Sequence, residues 1–90
     1  MGMIVVHHKV QDFAAWKLAY DKHASARKAA GLTRDHVLQA VDDPTMVTVV
    51  LDFSDIHKAK AFATSEDLKT AMKAAGVVGA PSVHILKKVT

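Results

Sequence analysis

Two neighbouring stretches, "LTRDHVLQAV" at 32–41 and "MVTVVLDF" at 46–53, constrain this chain more than any other feature. The intervening "DDPT" has the Asp and Pro of a tight turn, so the pair reads as a β-hairpin. Side chains alternate between the two faces of a strand. Across "DDPT" that alternation places Val37, Gln39, Val41, Met46, Thr48 and Val50 on one face. Leu38, Ala40, Val47, Val49, Leu51 and Phe53 share the other. Both rows are largely apolar, whereas a sheet with one wet face alternates apolar and polar residues. The hairpin therefore needs cover on both sides.

The rest of the chain supplies one cover. "MIVVHHKV" at 3–10 is a strand, and Asp12 is placed to cap the helix that follows. Through "FAAWKLAYDKHASARKAA", Trp16, Ala19, Tyr20, His23, Arg27 and Ala30 recur at helical steps, with Gly31 where a C-cap glycine belongs. After the hairpin, Ser54 or Asp55 caps a second helical region beginning "IHKAKAFA". "TSED" at 64–67 matches a capping box and marks a break before "LKTAMKAA". Leu68, Met72 and Ala75 lie on one side of that last piece, Gly76 closes it, and "GVVGAP" forms a loop into a final strand "SVHILKKV". The order is βαββαβ. Two split βαβ units give an α+β, ferredoxin-like fold: a four-stranded antiparallel sheet with the helices on one face.

The opposite face is left bare. A patch of roughly several hundred Å² of exposed apolar surface normally marks an interface, and a second copy of the sheet is its simplest cover. A homodimer is expected. Size points the same way: 90 residues make one domain, spanning 1–90, whose core is modest when it folds alone. There are no cysteines for disulfides or thiolate metal sites. No apolar run approaches the roughly 20 residues of a membrane span, and the N-terminus lacks a secretory pattern. A soluble cytoplasmic protein with no membrane partner is expected. The net charge of +3 is spread over scattered basic residues, the longest run being Lys87-Lys88, so it describes a solvated surface and not a polyanion site.

With those elements in place, "HKVQDFAAWKLAYDKH", the "AGL" turn, "DDP" and "AFATSEDLKTAMKAAGVVGAP" resemble the dimeric α+β barrel superfamily over nearly the whole chain. More narrowly, they resemble the small proteins grouped with antibiotic biosynthesis monooxygenases. The resemblance implies two sheets meeting as a barrel, and in each protomer a pocket between sheet and helices. Members of the superfamily include cofactor-free oxygenases, haem-degrading enzymes and cyclases, so the fold alone does not fix a reaction.

Six histidines invite a metal or a catalytic pair. His7 and His8 are adjacent on a strand, point to opposite faces, and so cannot converge on one ligand. Ile4, Val6, His8 and Val10 form the more apolar row, which makes His8 the buried one. His8 is then either a satisfied core histidine or a ligand-contacting group, and it is the candidate catalytic residue. The resemblance places it about where haem-degrading relatives carry a pocket amide. Trp16, Tyr20 and His23 face the sheet, as core or as a cavity wall with the Tyr20 hydroxyl as its polar handle. Phe62 and Met72 complete the candidate pocket. His36 and His84 lie on strands whose registers the sequence does not specify.

His57 starts the second helical region, whereas the relatives' axial haem ligand lies later, where this chain has no histidine. No cofactor and no metal site are therefore expected: neither HExxH nor HxH occurs, and no phosphate loop or GxSxG elbow is present. RNA-recognition modules of this fold need aromatics on the central strands; strand one has none and Phe53 sits at a strand end, so nucleic acid is excluded as a partner. Two functions follow. One is a homodimeric protein binding a small apolar or aromatic molecule, with cofactor-independent monooxygenase or cyclase-like chemistry within its reach. The other is a non-catalytic binding or assembly module, favoured by alanine-rich helices that approach the sheet closely. A cavity volume separates them, since drug-sized ligands need roughly 300 Å³ or more.

Overall fold

Short polar side chains set where three of the four helices begin. Asp12 Oδ1 accepts from the Ala14 amide at 3.3 Å, and Asp55 Oδ1 from the His57 amide at 2.8 Å. Ser65 Oγ accepts from Leu68 at 3.2 Å, one residue later than a box headed by Thr64 would have it. In a computed structural model, described for residues 2–87 and 89, these caps open α1 (Phe13–Lys22), α3 (Ile56–Ala63) and α4 (Glu66–Ala74). The remaining elements are β1 (Gly2–Val10), α2 (Ala24–Ala29), β2 (Leu32–Ala40), β3 (Asp43–Phe53) and β4 (Val77–Lys87). Lys88, expected in the last strand, lies outside the described residues. The four strands form one antiparallel sheet in the order β2-β3-β1-β4. This is the ferredoxin-like α+β arrangement expected from the βαββαβ order.

Core and helices meet on one face. Ile4, Val6 and Val10 from β1 and Val47, Val49, Leu51 and Phe53 from β3 are buried against Trp16, Ala59, Phe62 and Leu68. The cross-strand pairs Ile4↔Leu51 and Val6↔Val49 put these side chains side by side on that face. Glycine is required at position 2, where a Cβ would come within 2.7 Å of the Ile56 backbone, so α3 rests directly on the start of β1.

Three details differ from the sequence reading. The long first helix is interrupted at His23, whose amide is shared between the carbonyls of Ala19 and Tyr20, each at 3.2 Å. Helical bonding resumes at once, and the stripe of Trp16, Tyr20, His23 and Arg27 survives the break. "GVVGAP" is not a loop: β4 begins at Val77, with an irregularity where Val78 pairs with Lys9 and Ser82 with His7. Gly79 takes φ 74° inside that bulge, and Pro81 is tolerated because β4 is an edge strand.

The third difference reverses a face. Val37 pairs with Val49, Leu38 with Thr48 and Gln39 with Val47, while Ala40 pairs with Asp43. Val41 is the fully exposed turn tip and not part of an apolar row. The chain from Pro44 to Met46 forms an excursion on the β3 side, held where Asp43 Oδ1 accepts from the Thr45 amide and hydroxyl. That odd number of extra residues flips β2 relative to β3. Leu38, 52% exposed, therefore joins Met46, Thr48 and Val50 on the side away from the helices, and Val37 and Gln39 lie on the helix side.

The outer face is accordingly mixed. Across its middle, His84, Val5, Val50 and His36 stand in one row, with Ser82, His7, Thr48 and Leu38 beside it. His7 Nδ1 and Thr48 Oγ1 are 2.7 Å apart. Met3 and Met46 flank this centre on the two inner strands and are only half-buried.

Candidate ligand cavity between sheet and helices

His8 follows Ile4 and Val6 on the helix-side row of β1 and is 4% exposed, while His7 is exposed on the opposite face. The His8 imidazole meets the edge of Trp16 with centroids 5.6 Å apart, and its Nδ1 has no hydrogen-bond partner. Burial, with a smaller contribution from His7, holds this imidazole below its ordinary pKa of 6.5. It is a neutral base at physiological pH.

Helix α1 aims its stripe at the same space. Trp16 is buried and stacks on Tyr20 at 5.0 Å between centroids. The Tyr20 hydroxyl does not serve the cavity as a free handle, because it donates to Asp35 Oδ2 on β2 at 2.5 Å. Burial first, and then that bond, raise the phenol far above its ordinary pKa of 10, so Tyr20 keeps its proton. His23, at the break between α1 and α2, is half-buried. Phe62 from α3 and Met72 from α4 close the opposite wall.

His8, Trp16, Tyr20, His23, Phe62 and Met72 thus line one cavity, floored by Val6, Val49 and Leu51. Its volume is about 60 Å³. A second depression of about 400 Å³ adjoins it at His23 and Phe62 and runs outward along Ala26, Ala29, Ala30 and Ala61. The alanines leave a groove where larger side chains would fill it.

Arg27 is the charged lining residue that the candidate site in the sequence did not include. It is 5% exposed, and its guanidinium lies 3.6 Å from the centre of the Tyr20 ring. The signal was present, since Arg27 continues the sheet-facing stripe four residues after His23. His36 and His84 lie on the outer face and His57 is exposed on the first turn of α3, all away from the cavity. No group of three His, Cys, Asp or Glu able to hold a metal occurs among the described residues. No helix among them is long and apolar enough to cross a membrane.

The protein is thus a split βαβ α+β sheet whose covered face holds a buried histidine in a largely apolar cavity. No family model and no curated protein matches the sequence. Solved structures match the fold end to end. A protein of Bordetella bronchiseptica, provisionally named an antibiotic biosynthesis monooxygenase, superposes with a TM-score of 0.80 at 19% identity, covering 99% of this chain and 97% of its own. A similarly named protein of Nitrosomonas europaea gives 0.76 at 20% identity, with both chains fully covered. SnoaB of Streptomyces nogalater, a cofactor-independent oxygenase, gives 0.79 at 12% identity, covering 99% and 93%. The fold is therefore that of the antibiotic biosynthesis monooxygenase-like proteins, as the sequence resemblance implied.

Proposed function

We propose that this protein is a homodimer that binds a small apolar or aromatic molecule between sheet and helices and oxygenates it without a cofactor. The observation that carries the reading is His8: a buried, neutral imidazole with an unpartnered Nδ1, set among apolar and aromatic side chains. A dry cavity with a positioned base is what carbanion chemistry needs. His8 would take a proton from an activated CH₂ group of the substrate. The resulting carbanion would give up an electron to dioxygen, and recombination with the superoxide would form the C–O bond of a peroxide anion, which takes the proton back from His8 to become a hydroperoxide. Loss of water then leaves a carbonyl, so dioxygen supplies one oxygen atom to product and one to water. SnoaB, with the same fold, is described as a cofactor-independent oxygenase, which supports this chemistry over others.

The second copy would cover the outer face of the sheet, where Val5 and Val50 sit at the centre with Met3, Met46 and Leu38 around them. One observation favours a second reading, a non-catalytic binding or assembly module. The inner cavity of about 60 Å³ is well below the roughly 300 Å³ of drug-sized sites, although the adjoining groove adds room. Oxygen uptake with an anthrone-type CH₂ acid distinguishes the two. Uptake that is lost in His8→Ala supports the oxygenase. Binding of the same compound with no uptake above the buffer rate would leave only the binding module.

A further inference from the structure

We propose that the cavity takes its ligand by a carboxylate, with Arg27 as the counter-ion; this rests on the ligand-site reading above and narrows it to acidic molecules. Arg27 is 5% exposed, its Nε has no hydrogen-bond partner, and no carboxylate lies within ion-pair distance of it among the described residues. A guanidinium keeps its charge at any ordinary pH, and a buried charge is expensive unless it is paired. The Tyr20 ring offers it one face, which answers only part of that cost. Asp35, which accepts the tyrosine hydroxyl, reaches Arg27 only across the Tyr20 ring and forms no ion pair with it. Arg27 thus has a buried Nε without a partner and no direct ion pair among the described residues.

The surroundings specify what would balance it. His8, whose Nδ1 is also buried and unpartnered, and His23 line the same cavity, so a few polar side chains stand with Arg27 in an otherwise apolar space. A volume of about 60 Å³ holds a few water-sized groups, each needing on the order of 10–15 Å³. That suits a carboxylate and its first carbon, not an aromatic ring. The ring or chain has room in the groove of about 400 Å³ beyond His23 and Phe62. Lys58 and Asp67 on that groove oppose each other in charge, so Arg27 is what sets the preference for an anion.

Trp16, the only tryptophan, lines the cavity and reports binding by its own fluorescence. Wild-type protein is titrated with 3-phenylpropanoate and, separately, with its neutral amide. The carboxylate should bind at least about tenfold more tightly, the worth of one charge-assisted hydrogen bond. Arg27→Gln should erase the preference, the carboxylate losing more affinity than the amide, and Arg27→Lys should retain part of it. Equal affinity of wild type for acid and amide overturns the inference but leaves the apolar ligand site standing. A preference that survives Arg27→Gln overturns the role of Arg27. Binding of neither probe at millimolar concentration removes both the inference and the site. If Arg27→Gln does not fold, the wild-type comparison and Arg27→Lys still decide.

Discussion

Replacing His8 by leucine should make the protein more stable and less functional. His8 is buried with Nδ1 unpartnered, and such an atom costs about 1–3 kcal/mol relative to an apolar group of similar shape. Leucine removes that atom and adds apolar contact with Trp16 and Val6; some misfit of shape takes back about 1 kcal/mol. A net gain of about 1 kcal/mol raises Tm by roughly 4–8 °C in a domain this small. The gain should also depend on pH in a definite direction. The folded-state pKa of His8 is depressed, so below its unfolded value of 6.5 the unfolded chain binds the extra proton and the folded one does not. Wild type therefore loses stability as pH falls from 6.5 towards the folded-state pKa, and His8→Leu lacks that loss. Thermal denaturation by circular dichroism at pH 8 and pH 5.5 measures both effects. A Tm for His8→Leu well below wild type at pH 8 would refute the reasoning, because it would mean that His8 makes a stabilising contact in the core.

His7 and His8 differ in the face they occupy, so His8→Ala should cut turnover or ligand affinity by about 10²–10⁴, as loss of a positioned acid–base group does. His7→Ala should cost only about 1 kcal/mol in stability or association, through its contact with Thr48; equal effects on activity would contradict the assignment. Val50→Glu, at the centre of the outer face, should abolish self-association at a cost of about 3–5 kcal/mol per unpaired buried charge. Sedimentation velocity reads this directly, and an unchanged mass would show that the face is not the interface. Gly2→Ala should destabilise by about 1–3 kcal/mol, because its Cβ meets the Ile56 backbone at 2.7 Å. Urea unfolding with an unchanged midpoint would show that α3 can simply move away.

The sequence was most legible where one period controls one element. Alternation along "MIVVHHKV" separates His8 from His7, and the buried row of β1 follows it. Helical spacing places Trp16, Tyr20 and His23 on the cavity, and Phe62 and Met72 meet them because α3 and α4 cover the same sheet face. Legibility failed where the relation between elements depended on local backbone detail. The face that β2 shares with β3 turns on the count of residues between Ala40 and Val47. The Pro44–Met46 excursion changes its parity without changing the composition. In "LTRDHVLQA" both rows mix polar and apolar residues, so no pattern within β2 could correct the error. Gly79 reads as a loop glycine in sequence, yet it serves a bulge inside β4. Arg27 carried the helical spacing of a cavity residue but the chemistry of a surface one. Only its burial on the Tyr20 ring shows which of the two prevails.

Native mass spectrometry of the protein with a saturating aromatic carboxylate reads both the proposed dimer and its one small-molecule site per chain. Ions at twice the 9.7 kDa chain mass carrying up to two ligands are expected. Ligand occupancy should fall in Arg27→Gln while the dimer remains. A well-folded monomer that retains no ligand under the same gentle conditions would contradict both the dimer and the site.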